Sequence, residues 1–168
     1  RGYDVPGDGD WYLQPAATKK PSVLEPYSYE IGGKKILMTT LATPIVQDSQ
    51  FLGVVTVDFA LQSLQDRLSK MRPMQEGYVR LLSPAGTIIA DRDPAKVGSK
   101  ADDADTRAML ANTASNKITF EQRRDPVLDE DVVETYVPLK IGDAEQSFAF
   151  GVVVPRALLM EQARTLLW

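Results

Sequence analysis

The chain has 168 residues, enough for one large domain or two small α/β modules with real cores. Its 19 basic and 23 acidic residues give a net charge of -4, and no stretch gathers Lys and Arg into a stripe, so nucleic acid is not an expected partner. With no His and no Cys, the chain lacks the central part of Ser-His, Cys-His and zinc-hydrolase chemistry, and it forms no disulfide.

No run approaches the ~20 apolar residues of a membrane span, and the chain starts at Arg1 in a polar Gly/Asp-rich stretch. The expectation is a piece of a longer protein whose membrane segments lie outside it. Residues 1–34 are rich in Gly and Pro and keep no period, so they read as mostly irregular. They also carry Trp11, Tyr12, Tyr27 and Tyr29, and a long aromatic-rich loop is more often a binding segment than a linker.

Residues 35–43 and 51–58 are β-branched and apolar around the polar turn Gln47-Asp48-Ser49-Gln50, which predicts a hairpin. Over residues 60–72, Leu61, Leu64, Leu68 and Met71 recur at helical spacing until Pro73. A second cycle follows: a strand over 78–82, a turn at Ser83-Pro84-Ala85-Gly86 and a return strand over 87–90. A short helix is expected over 102–112 with Ala108, Met109 and Leu110 inward, then strands near 117–122, 131–139 and 147–154. Pro155 opens a last helix bearing Leu158, Leu159, Leu166 and Leu167, which is expected to run on toward a membrane past Trp168.

A weak internal echo suggests two modules. Thr43-Pro44-Ile45 with Gly53-Val54-Val55 recurs as Val137-Pro138-Leu139 with Gly151-Val152-Val153, each pair leading into a Leu-bearing helix.

An ordered set of pieces resembles the double Cache domains of bacterial chemoreceptors, sensor kinases, diguanylate cyclases and membrane-bound phosphatases. The pieces are Trp11-Tyr12, Glu25-Pro26-Tyr27, Ile36-Leu37-Met38-Thr39-Thr40, Gly53-Val54-Val55-Thr56-Val57-Asp58, Gly77-Tyr78-Val79 and Ser83-Pro84-Ala85-Gly86-Thr87-Ile88-Ile89-Ala90 leading to Asp93-Pro94. The resemblance implies an α+β fold of tandem PAS-like (Cache) modules, antiparallel sheets flanked by helices. It implies that residues 1–60 are the later part of a membrane-distal module, 61–76 a connecting helix and linker, and 77–168 a membrane-proximal module.

Amine-binding members of that family use an aromatic pair, a Tyr in Pro-Tyr-x-Asp and the Asp closing Gly-Val-Val-x-x-Asp, and Trp11, Tyr12, Tyr27 and Asp58 match those positions. Members that bind amino acids carry an Arg two residues before the Trp, where this chain has Gly9, and the Asp of Pro-Tyr-x-Asp is Tyr29 here, followed by Glu30. An α-amino acid is therefore disfavoured. Asp8, Asp10, Glu25, Glu30 and Asp58 leave the aromatic segment acidic, which suits a cationic amine through charge and cation-π attraction.

Asp8 and Asp10 also read as solvated turn residues. Asp58 is the strongest acidic candidate, because it ends an apolar strand. The acidic runs Asp125, Asp129, Glu130, Asp131 and Asp102, Asp103, Asp105 lack the Gly and Glu of a calcium loop and read as solvated surface.

The expected function is small-molecule sensing on the periplasmic side of an inner-membrane receptor, with ligand-binding residues Trp11, Tyr12, Glu25, Tyr27, Tyr29 and Asp58. No cofactor, metal or catalytic residue is expected. A homodimer is expected in the full-length receptor. The alternative is a structural or dimerisation module with a vestigial pocket; an enzyme using a single acidic base is the remote third reading.

Overall fold

A computed structural model describes residues 2–101 and 103–166, and its architecture is α+β with antiparallel sheets. The chain divides into two compact units, Arg1–Gln62 with Lys140–Ser147, and Ser63–Leu139 with Phe148–Trp168. Among the described residues no helix is long and apolar enough to cross a membrane.

In the first unit, α1 (Asp10–Thr18) precedes β1 (Ser22–Val23), β2 (Tyr27–Ile31), β3 (Lys34–Gln47) and β4 (Gln50–Ala60). The N-terminal stretch is thus more regular than expected. Pattern reading misses α1 because Pro15 sits inside a nine-residue helix, where it removes a backbone donor. Here Pro15 is buried, and its carbonyl accepts the Lys19 N–H that closes the helix.

The hairpin of β3 and β4 matches the expected one and extends it, pairing from Met38↔Ala60 to Gln47↔Gln50 with a register shift between Ile45 and Val46. Asp48 and Ser49 both take positive φ, 48° and 64°, so the turn twists in the sense that suits two paired strands. The other edge of β3 holds β2 along 34–38 and β1 at 41–42, all antiparallel. The long strand β3 is therefore the spine of this unit, and it carries Thr40 to the place where β2 delivers Tyr27.

The second unit follows through α2 (Gln62–Leu68), β5 (Tyr78–Leu82), β6 (Ile88–Ala90), α3 (Ala104–Ala114), β7 (Thr119–Asp125), β8 (Glu130–Lys140), β9 (Ser147–Pro155) and α4 (Arg156–Leu166). Its sheet has the order β6-β5-β9-β8-β7. Leu82, Ile88, Ala101, Met109, Tyr136 and Ala149 form one core cluster, and Tyr78, Val132 and Val153 another. Fully burying each large apolar side chain contributes about 1.5–3 kcal/mol. Gly151 is required by this packing, because a Cβ there would come within 2.7 Å of the Tyr136 ring.

Two helix faces differ from expectation. α2 ends at Leu68, well before Pro73, and its buried residue is Gln65 while Leu64 is 36% exposed. The reason is a polar anchor: Gln65 donates from Nε2 to the Asp91 carbonyl and accepts the Asp91 N–H, each at 2.9 Å. In α3 the buried residues are Thr106, Met109 and Thr113, while Ala108 is exposed and Leu110 half-buried. Asp103 caps this helix by accepting the Thr106 N–H at 2.8 Å, which sets its start and its inward face. Asp102, Leu167, Trp168 and the Leu166 side chain lie outside the described residues.

Candidate functional site

A pocket of about 650 Å³ opens in the first unit between α1 and the segment leading into β2. That volume lies within the range of small-molecule sites. Trp11, Glu25, Tyr27 and Tyr29, all named from sequence, line it, together with Gly7, Asp8, Asp10, Gln14, Leu24, Pro26, Ser28 and Thr40. The lining holds three acidic residues and no Lys or Arg.

Tyr12 is placed elsewhere. Its ring meets Tyr3, Trp11 and Phe51 edge-on at centroid distances of 5.2, 5.9 and 5.3 Å. Neighbouring positions on a helix point to different faces, so Trp11 can face the pocket while Tyr12 packs α1 toward the start of β4.

Asp58 does not line the pocket either, yet it is wired to it. Thr40 Oγ1 donates to Asp58 Oδ1 at 2.7 Å, and the Tyr27 hydroxyl lies 2.8 Å from Thr40 Oγ1. The pairing Thr40↔Asp58 across β3 and β4 builds the first contact, and Tyr27↔Met38 brings β2 beside it. Asp58 is exposed, which differs from the setting expected for a strand-end carboxylate. Among the described residues β4 pairs with β3 alone. Sequence reading missed Thr40, since a threonine inside a β-branched run looks like any strand former.

Gly9 has a stronger meaning than the absence of an Arg. A Cβ there would stand 2.3 Å from the Tyr3 carbonyl oxygen, so the backbone closes this position to every other side chain. Asp10, expected as a turn residue, accepts the Gly7 N–H at 2.9 Å and also lines the pocket.

The second unit holds a buried charge cluster that sequence reading missed. Arg80 donates from Nε to Asp91 at 2.9 Å and from Nη1 to Glu134 and Tyr136, each at 3.1 Å. Arg123 donates from Nε to Glu134 at 2.6 Å and from Nη1 to Asp125 at 2.7 Å. Asp125, expected as solvated surface, is fully buried, accepting also from Tyr78 and from the backbone of Val127 and Leu128. Burial pushes its carboxyl up, but these donors and Arg123 outweigh that and hold it below the ordinary carboxylate range. Burial first, then the Glu134 charge, pushes the Tyr136 hydroxyl well above its usual value. The polar residues at every second position of β7, Thr119, Glu121, Arg123 and Asp125, were the legible signal. Among the described residues no acidic group is arranged to hold a metal ion.

Residues 1–66 match the family described as "Methyl-accepting chemotaxis protein-like, first PDC sensor domain". The chain is 30% identical over 164 residues to the methyl-accepting chemotaxis protein TlpQ of Pseudomonas aeruginosa, covering 93% of this chain and 22% of that protein. Among solved structures it resembles the extracellular domain mmHK1S-Z3, assigned to a histidine kinase, with a TM-score of 0.78, 25% identity and coverage of 98% of this chain and 58% of that one. It also shares the fold of the ligand-binding domain of the Pseudomonas aeruginosa chemoreceptor PctB, solved with L-Gln, at 23% identity and a TM-score of 0.61 over 91% of this chain and 59% of that one. The chain thus spans about a fifth of the curated relative and under two thirds of each solved domain.

Proposed function

We propose that this chain, whose residues 1–66 match a chemoreceptor sensor-domain family and whose relatives include chemoreceptors and a histidine kinase, is part of a Cache-type ligand-sensing domain and that its first unit binds a small cationic amine. The observation that carries this reading is the lining itself: aromatic walls from Trp11, Tyr27 and Tyr29, three carboxylates, and no Lys or Arg. An ammonium group gains cation-π attraction of ~0.5–2 kcal/mol at such a wall. A free carboxylate on the ligand would meet Asp8, Asp10 and Glu25 with no cation to pair with. PctB is solved with an amino acid; the closed backbone at Gly9 is the feature that separates this pocket from a carboxylate-clamping one.

In this reading residues 1–60 belong to a membrane-distal PAS-like module, residues 61–76 connect, and residues 77–168 form the membrane-proximal module of an inner-membrane receptor facing the periplasm. Ligand binding shifts the receptor's signalling equilibrium only by its differential affinity for the two states. The test is calorimetric titration with 2-phenylethylamine and 1,4-diaminobutane against phenylacetate. Saturable binding of an amine and none of phenylacetate supports the proposal; the reverse order overturns it.

A structural role has its own observation. Leu52, Val55, Val57 and Phe59 on β4 are 45–58% exposed, an apolar surface suited to holding two receptor chains in register. Concentration-dependent dimerisation, with no amine bound, would favour this second reading.

A further inference from the structure

The second unit contains a cavity of about 200 Å³ built over the buried charge cluster. At roughly 30 Å³ per water molecule it has room for about seven waters, or for a ligand of similar bulk. Its lining mixes both signs: Arg80, Lys96 and Arg123 against Asp103, Asp105, Asp125 and Glu134, with Met109 and Pro126 as apolar wall.

Most of these charges are already paired, and the exceptions are informative. Arg80 is 9% exposed, and its Nε and Nη1 serve Asp91, Glu134 and Tyr136, but its Nη2 makes no hydrogen bond among the described residues. Nor is Nη2 among the completely buried unsatisfied atoms, which are Ser22 Oγ, Thr119 Oγ1 and Gln146 Oε1. Arg80 lines the cavity, and Nη2 is the guanidinium nitrogen that its protein partners leave unused. A guanidinium nitrogen held this way calls for an oxygen acceptor. Lys96 and Asp105 also line the cavity, and neither side chain has a hydrogen bond or ion pair among the described residues.

We propose that this cavity is a second ligand site, separate from the aromatic pocket, and that it takes a small zwitterion. The ligand carboxylate sits against Arg80 Nη2 and Lys96, and its ammonium group faces Asp105. A lone anion would leave the acidic side unmatched, and a lone amine would leave the unbonded end of Arg80 unmatched. The residues that hold Arg80 in place, Asp91, Glu134 and Tyr136, act as positioning residues, because they fix the one nitrogen that is left to the ligand.

Met109 gives the site its own reporter, since it is 2% exposed, lines this cavity, and no methionine lines the aromatic pocket. With methyl-labelled methionine, titration of the whole chain with glycine and β-alanine is followed at the Met109 resonance, with propionate and ethylamine as single-charge controls. The proposal expects a saturable shift with one of the zwitterions and at least tenfold weaker response to both controls. Lys96→Gln at a half-buried position and Asp105→Asn at an exposed one should each weaken the response at least fivefold. Trp11→Ala should leave it unchanged, so failure here and failure of the amine pocket are distinguishable. A Met109 resonance unmoved by either zwitterion overturns the proposal, as does an equal response to propionate or to ethylamine.

Discussion

Thr40 donates its hydroxyl proton to Asp58 over 2.7 Å, and this bond gives direction to a chain that ends in the aromatic pocket. With that proton committed, Tyr27 must be the donor in its own 2.8 Å contact with Thr40, which leaves the Tyr27 oxygen lone pairs for a ligand donor. Asp58 thus acts on the pocket through two hydroxyls. Thr40→Val should weaken amine binding by about 0.5–1.5 kcal/mol, and Asp58→Asn, one hydrogen bond further from the pocket, should weaken it by a smaller amount. Asp129→Asn should change nothing, since the Asp129 side chain is 92% exposed in the other unit. Calorimetry on the three variants checks the order.

Gly9 predicts a result that chemistry alone would not. Gly9→Arg supplies the cation that a ligand carboxylate would want, but its Cβ collides with the Tyr3 carbonyl at 2.3 Å. The variant should lose thermal stability and gain no amino-acid binding. A stable Gly9→Arg protein that binds L-glutamine would show that the loop opens more easily than its packing implies.

Glu134 bridges two arginines while 1% exposed. Glu134→Gln leaves Arg80 and Arg123 short of a shared counter-charge, and breaking a buried pair costs about 3–5 kcal/mol. Urea unfolding read from near-ultraviolet signals of Tyr78 and Tyr136 should show the loss in the second unit. Asp129→Asn again serves as the control.

Acid should weaken the same unit. The folded-state value of Asp125 is depressed, so its stabilisation is fully present above the ordinary carboxylate value of about 3.9 and is lost as pH falls through the lower folded value. Stability measured between pH 6 and pH 2 should therefore fall less steeply for Asp125→Asn than for the parent. Identical acid slopes would mean that Asp125 has no net preference for its charged form when folded.

The sequence spoke most clearly where periodicity and turn chemistry agreed. Residues 35–43 and 51–58 are β-branched and apolar around the polar turn Gln47-Asp48-Ser49-Gln50, and the structure has that hairpin as β3 and β4. The helix over 10–18 stayed hidden because Pro15 and Gly9 are turn signals in isolation, and only burial of Pro15 against the sheet side reverses their meaning. Face assignments failed where a polar group took the inner position. Gln65 replaced Leu64 because it satisfies the Asp91 backbone, a partner 26 residues away that no helical period reveals. The pairings inside the charge cluster were hidden for the same reason: Arg80 meets Glu134 across 54 residues of chain. In the aromatic pocket, residue types at matched positions pointed to Trp11, Tyr27 and Tyr29, whereas Thr40 became apparent only through the register of three strands.

The most direct test of the account is a competition at the aromatic pocket. Titration of 2-phenylethylamine into the parent chain, and then into Trp11→Ala and Asp58→Asn, should give saturable binding that both substitutions weaken, with phenylacetate silent throughout. Affinity unchanged in both variants, or phenylacetate binding in place of the amine, would contradict an amine site in the first unit.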